Sequence, residues 1–184
     1  MALGVSLSQG QWGLTLADVS TAFLHAPIEV DDSQDEVLIP VPDGVPETYL
    51  INWDRVAFWR LRRALYGLRS APRKLGNFFK QCMINLNFHN LESEPACFVR
   101  FKVGRLECMI INYVGDLMIL GTTASRNQVC VSLRGVLKLK VQHMGVGESV
   151  TFLGNKLRRG YRRYEFSSGD HVRSMRPRSK HFED

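Results

Sequence analysis

The chain has 184 residues, 24 Lys and Arg against 18 Asp and Glu, a net charge of +6 and 45% hydrophobic residues. That length can bury a sizeable core in one domain, and no run approaches the roughly 18 consecutive apolar residues of a spanning helix, which excludes a helical membrane protein. The charge is polarised: residues 1–54 hold nine acids and no Lys or Arg, so all 24 basic residues face only nine acids in 55–184. This asymmetry predicts an anionic partner for the second part, nucleic acid first. Met1-Ala2-Leu3-Gly4-Val5 carries no basic residue before its weak apolar stretch, so no signal peptide is expected and the location is read as intracellular, in cytoplasm or nucleus. Cys82, Cys97, Cys108 and Cys130 form no CxxC pair and are expected to be buried thiols of a reducing compartment.

In chain order, Trp12 to Val19 reads as a strand with Leu14, Leu16 and Asp18 on one parity. Asp18 sits near its end, ahead of a short helical turn over Ser20–Ala26 that Pro27 stops. An Asp there serves either as the N-cap of that turn or as a metal ligand beside open backbone amides. The acidic run 31–36 is loop-like and leads into a strand at Val37-Leu38-Ile39; Phe58 to Leu61 is another strand. Residues 55–80 carry Arg55, Arg60, Arg62, Arg63, Arg69, Arg73, Lys74 and Lys80 with no acid, a segment suited to phosphate contacts.

Ala71-Pro72 opens a helix whose Leu75, Phe78, Phe79, Cys82, Met83 and Leu86 recur at helical spacing. Ala96–Lys102 is a strand, Gly104-Arg105 a turn, and the apolar runs Cys108–Ile111 and Leu117–Leu120 form a hairpin with Gly115 and Asp116 at its tip. A carboxylate in so apolar a hairpin is either solvated or paired with a cation. Val129, Leu133, Val136 and Leu137 fit a second amphipathic helix, and Val150–Leu153 a further strand. This order predicts an α+β fold, helices packed on one face of a largely antiparallel sheet. Such a sheet can bring Asp18 beside Asp116 as an oxygen site suited to magnesium. The expected division is 1–155 as the folded part and 156–184 as a basic, partly disordered tail, with disorder over the last dozen residues.

Four blocks, in order, resemble the reverse transcriptase of copia-type retrotransposon Pol polyproteins. They are Ala17-Asp18-Val19-Ser20-Thr21-Ala22-Phe23-Leu24; Asp35-Glu36-Val37-Leu38-Ile39 with Pro42-Asp43-Gly44; Trp59 through Arg73, reading WRLRRALYGLRSAPR; and Tyr113-Val114-Gly115-Asp116. Phe152-Leu153-Gly154 falls where that family has a similar triplet. The resemblance implies a polymerase palm-like antiparallel sheet with partial fingers, copying an RNA or DNA template onto a DNA primer from deoxynucleoside triphosphates with two magnesium ions. It further implies Asp18 and Asp116 as catalytic, metal-binding carboxylates, and Phe23, Tyr66 and Gly67 against the incoming nucleotide, Phe23 disfavouring a 2′-hydroxyl. Arg62, Arg63, Arg69, Arg73 and Lys74 are expected on nucleic acid, and other Pol segments are expected partners.

Two departures stand out. The family's Tyr-x-Asp-Asp reads Tyr113-Val114-Gly115-Asp116 here, so one expected carboxylate is missing at Gly115. The family's N-terminal finger strands, thumb and ribonuclease H parts also have no counterpart in these 184 residues. Both lead to the expectation of a truncated, catalytically inactive reverse transcriptase, with a non-catalytic nucleic-acid-binding remnant or a pseudogene product as the alternatives.

Overall fold

The computed structural model describes residues 12–28, 37–42, 44, 58–161 and 163–167. The acidic run 31–36, Arg55 and the last dozen residues lie outside this set. The described chain forms two compact units, one made of residues up to Ser20 and from Met83 onward, the other running from Thr21 to Cys82.

The first unit is built on a six-stranded sheet. Its strands are β1 (Gly13–Val19), β4 (His89–Leu91), β5 (Glu94–Lys102), β6 (Arg105–Tyr113), β7 (Asp116–Gly121) and β8 (Leu139–His143), in the order β4-β5-β6-β7-β1-β8. All its pairings are antiparallel. Pleating sends alternate side chains to opposite faces. One face, carrying Leu14, Leu16, Val99, Met109, Met118 and Leu120, packs with Val150, Phe152 and Leu157 into a single buried cluster. Those last three come from a small antiparallel sheet of β9 (Ser149–Phe152), β10 (Asn155–Arg159) and β11 (Tyr164–Ser167). The expected boundary at 155/156 thus falls inside a sheet. Leu157, fully buried between Lys156 and Arg158, holds β10 in place although the local composition is basic.

Helix α2 (Thr123–Arg134) lies against β6, β7 and β8. Thr122 caps it by accepting a hydrogen bond from the Ser125 amide at 3.2 Å. Arg126 of this helix is buried, and its guanidinium donates to the Gly121 carbonyl at 3.1 Å, the Leu14 carbonyl at 3.0 Å, the Thr15 hydroxyl at 2.6 Å and the Thr123 hydroxyl at 3.2 Å. Burial lowers the pKa of this guanidinium. Gly13 leaves room beside it, since a Cβ there would stand 2.7 Å from an Arg126 terminal nitrogen. Replacing Arg126 by Met should destabilise the chain by about 3 kcal/mol, because buried acceptors lose their donors. Urea denaturation measures this, and a loss below about 0.5 kcal/mol, the range of a neutral surface change, would show that the network contributes nothing.

The second unit holds β2 (Leu38–Pro40) paired with β3 (Phe58–Arg60), a 3-10 turn (Ala22–His25), and most of helix α1 (Ala71–Asn85). Leu75, Phe79, Cys82 and Met83 of α1 are buried, as their spacing predicts, and Pro72 sits in its first turn, where a missing N–H is harmless. The four cysteines are free and buried, and burial pushes the Cys108 thiol up to about 12. Among the described residues no helix is long and apolar enough to cross a membrane.

Candidate active site

The hairpin β6–β7 turns through Tyr113-Val114-Gly115-Asp116 with positive φ at both central residues, 49° at Val114 and 104° at Gly115. This is the sense of turn that matches the twist of a two-residue hairpin. The Gly115 amide donates to Asn112 Oδ1 at 3.3 Å, and its carbonyl accepts from the Val19 amide at 2.9 Å. The second bond ties the turn to the end of β1 and sets the register Asp18↔Asp116. Since Val19 N–H bonds to Gly115 one step outside the pair, Asp18 and Asp116 form a non-hydrogen-bonded pair, whose Cα atoms stand about 4.5 Å apart with side chains on one face. The two carboxylates expected to converge do so.

On the other side of β1, Lys140 of β8 is the register partner of Asp18. Tyr113, Asp116, Asp18 and Lys140 therefore form one row across β6, β7, β1 and β8. Asp18, Asp116 and Lys140 open into a cavity of about 220 Å³ whose further lining includes Gln142, Thr151 and Phe152. Sequence reading missed β8 and hence Lys140. The alternation Leu139, Lys140, Val141, Gln142 is the period-two signal that announces this strand.

Burial, then the neighbouring Asp18 charge, raises the Asp116 carboxyl above its ordinary pKa. A carboxyl raised on folding contributes its stability below the ordinary carboxylate range and loses it as pH rises through the folded value. Asp116→Asn should accordingly raise the melting temperature at pH 7, with the gain shrinking as pH falls toward about 4, the ordinary carboxylate range. A melting series that shows the gain growing on acidification would refute this.

No group of three or more His, Cys, Asp or Glu able to hold a metal ion occurs among the described residues. Gly115, where the resemblance expects a further carboxylate, offers no side-chain oxygen. Two carboxylates alone do not fit a pair of magnesium ions, which need several oxygen ligands in near-octahedral geometry.

In the second unit, Phe23 is buried and meets the exposed Tyr66 edge-on, ring centroids 4.5 Å apart. Gly67 follows at φ 91°. Arg62 and Arg63 lie beside the 3-10 turn: the Arg62 carbonyl accepts from the Ile28 amide, and Arg63 donates to the His25 carbonyl at 2.8 Å. Arg73 and Lys74, with Pro27, Asn77, Phe78 and Gln81, line a groove of about 570 Å³ along α1. Arg62, Arg69 and Arg73 are exposed and Lys74 half-buried.

Residues 2–176 match the profile of a family described as reverse transcriptase (RNA-dependent DNA polymerase). The chain is 31% identical over 122 residues to the retrovirus-related Pol polyprotein from transposon RE2 of Arabidopsis thaliana, an alignment covering 66% of this chain and 8% of that protein. It is 30% identical over the same length to the Pol polyprotein from transposon RE1 of Arabidopsis thaliana, again over 66% of this chain and 8% of the relative. With the Pol polyprotein from transposon TNT 1-94 of Nicotiana tabacum it shares 27% identity over 141 residues, 76% of this chain and 10% of that one. The chain thus spans about a tenth or less of the length of these relatives. Matched to the profile over nearly all its residues and similar over most of its length to retrotransposon Pol polyproteins, this chain belongs to the reverse transcriptase (RNA-dependent DNA polymerase) family, in its copia-type branch.

Proposed function

We propose that the first unit is a polymerase palm and the second a part of the fingers, together a nucleic-acid-binding module that does not perform template-directed DNA synthesis. The observation that carries the reading is the hairpin turn: Gly115 occupies the position where the resemblance expects a carboxylate, beside the paired Asp18 and Asp116. In the family, magnesium supplies activation of the primer hydroxyl and charge neutralisation of the triphosphate. The residues here do not fit two such ions. Losing a single preorganised electrostatic contact costs on the order of 100- to 1,000-fold in rate, and losing a metal ligand costs at least as much.

The remaining residues bind and position. Phe23, held by Tyr66, offers a rigid apolar floor of the kind that discriminates against a 2′-hydroxyl, and Gly67 lets a base or sugar approach the backbone closely. Arg62, Arg63, Arg69, Arg73 and Lys74 supply cations for the phosphates of an RNA template and DNA primer. Other Pol segments are the expected protein partners.

Primer extension on the purified chain with magnesium, run beside Asp18→Asn, tests the reading. Neither protein should extend a primer. Extension by the unmodified chain that Asp18→Asn abolishes would overturn it and restore the polymerase.

A further inference from the structure

We propose that Lys140, the register partner of Asp18, offsets part of the charge of the Asp18–Asp116 pair, so that the site disfavours divalent metal. The proposal rests on reading these two carboxylates as the palm pair, and it concerns the charge of the row rather than turnover.

Three observations carry it. First, Asp116, Asp18 and Lys140 are successive register partners on β7, β1 and β8. Ser20 N–H bonds to the Lys138 carbonyl. By the alternation of an antiparallel ladder, Asp18 and Lys140 are therefore a hydrogen-bonded pair with Cα atoms about 5.5 Å apart and side chains on the same face. Directly opposed opposite charges attract across a sheet. Second, among the described residues Lys140 is the only cation lining the cavity into which both carboxylates open; the rest are Leu16, Ala17, Val141, Gln142, Thr151 and Phe152. Third, among the described residues no further anionic ligand stands by. The row carries a net charge of −1, against −3 for an arrangement with a carboxylate at 115 and no lysine.

The alkyl stem of lysine is long enough to swing its ammonium over the Asp18 carboxylate or toward Asp116. A dication entering the same cavity has to displace the ammonium or sit beside it, and at this range in a partly solvated cavity the repulsion weakens binding about tenfold.

Manganese titration followed by electron paramagnetic resonance, on the full chain, tests this. Lys140→Met should bind manganese about tenfold more tightly than the unmodified chain, and adding Asp18→Asn should remove the gain. Lys140→Gln should shift affinity in the same direction and keeps the test open if the Met variant does not fold. Equal affinity with and without Lys140 in folded proteins would overturn the proposal, as would a gain that survives Asp18→Asn. Primer extension by the unmodified chain would count against the inactive palm alone, and manganese affinity judges Lys140.

Discussion

Gly115→Asp should bind divalent metal at least tenfold more tightly, lose stability, and still fail to extend a primer. The metal gain follows from a third carboxylate beside the Asp18–Asp116 pair. The cost follows from the backbone. Gly115 sits at φ 104°, after Val114 at 49°, a conformation in which a side chain costs about 1–2 kcal/mol. The turn cannot relax freely, because the Val19 amide holds the Gly115 carbonyl at 2.9 Å and Asn112 holds its amide. For a chain of this size a loss of that order lowers the melting temperature by about 3–6 °C. Turnover is not expected to return, since Lys140 still faces Asp18 and a nucleotide must also be held. A variant that is as stable as the parent and copies a template would refute this account of the turn.

Replacing Arg62, Arg69 and Arg73 together by Ala should weaken binding to single-stranded RNA and to a primer–template duplex, and flatten its salt dependence. All three are exposed, in a stretch from Phe58 to Lys80 that contains no acid. Each phosphate left without its arginine should reduce the slope of log affinity against log salt by about 0.7–0.9, so the triple variant should flatten that slope by about 2–3. Arg63 is better left intact, because its guanidinium holds the His25 carbonyl and its removal would mix a folding defect into the measurement. Fluorescence anisotropy across a salt series reads both quantities. Unchanged affinity and slope would move the interface to the β10–β11 hairpin, where Arg158, Arg159, Arg163 and the exposed Tyr161 surround another groove.

Helix α1 is legible because its apolar spacing is long and regular and Pro72 marks its start. The hairpin is legible because two apolar runs flank Gly115-Asp116. The family is legible because WRLRRALYGLRSAPR and the Asp18 block are specific strings in the right order. The strands β4, β10 and β11 are not, being three to five residues long and rich in polar or basic side chains. Short polar segments become strands only when a neighbouring edge offers its amides and carbonyls. Leu157 likewise gains nothing from burial until Val150 and Phe152 are beside it.

By itself, then, the sequence determined the chemical inventory: an α+β chain with Asp18 and Asp116 at strand ends, a basic segment free of acids, and Gly115 where a carboxylate is expected. Only the tertiary structure decided which charges share a row. Register depends on hydrogen bonds between residues far apart in the chain, and a slip by one residue sends a side chain to the opposite face. The Val19–Gly115 bond sets Asp18 against Asp116, and the Ser20–Lys138 bond sets Lys140 against Asp18. No local pattern around Lys140 contains that pairing, because its partner on β1 lies at the opposite end of the described chain.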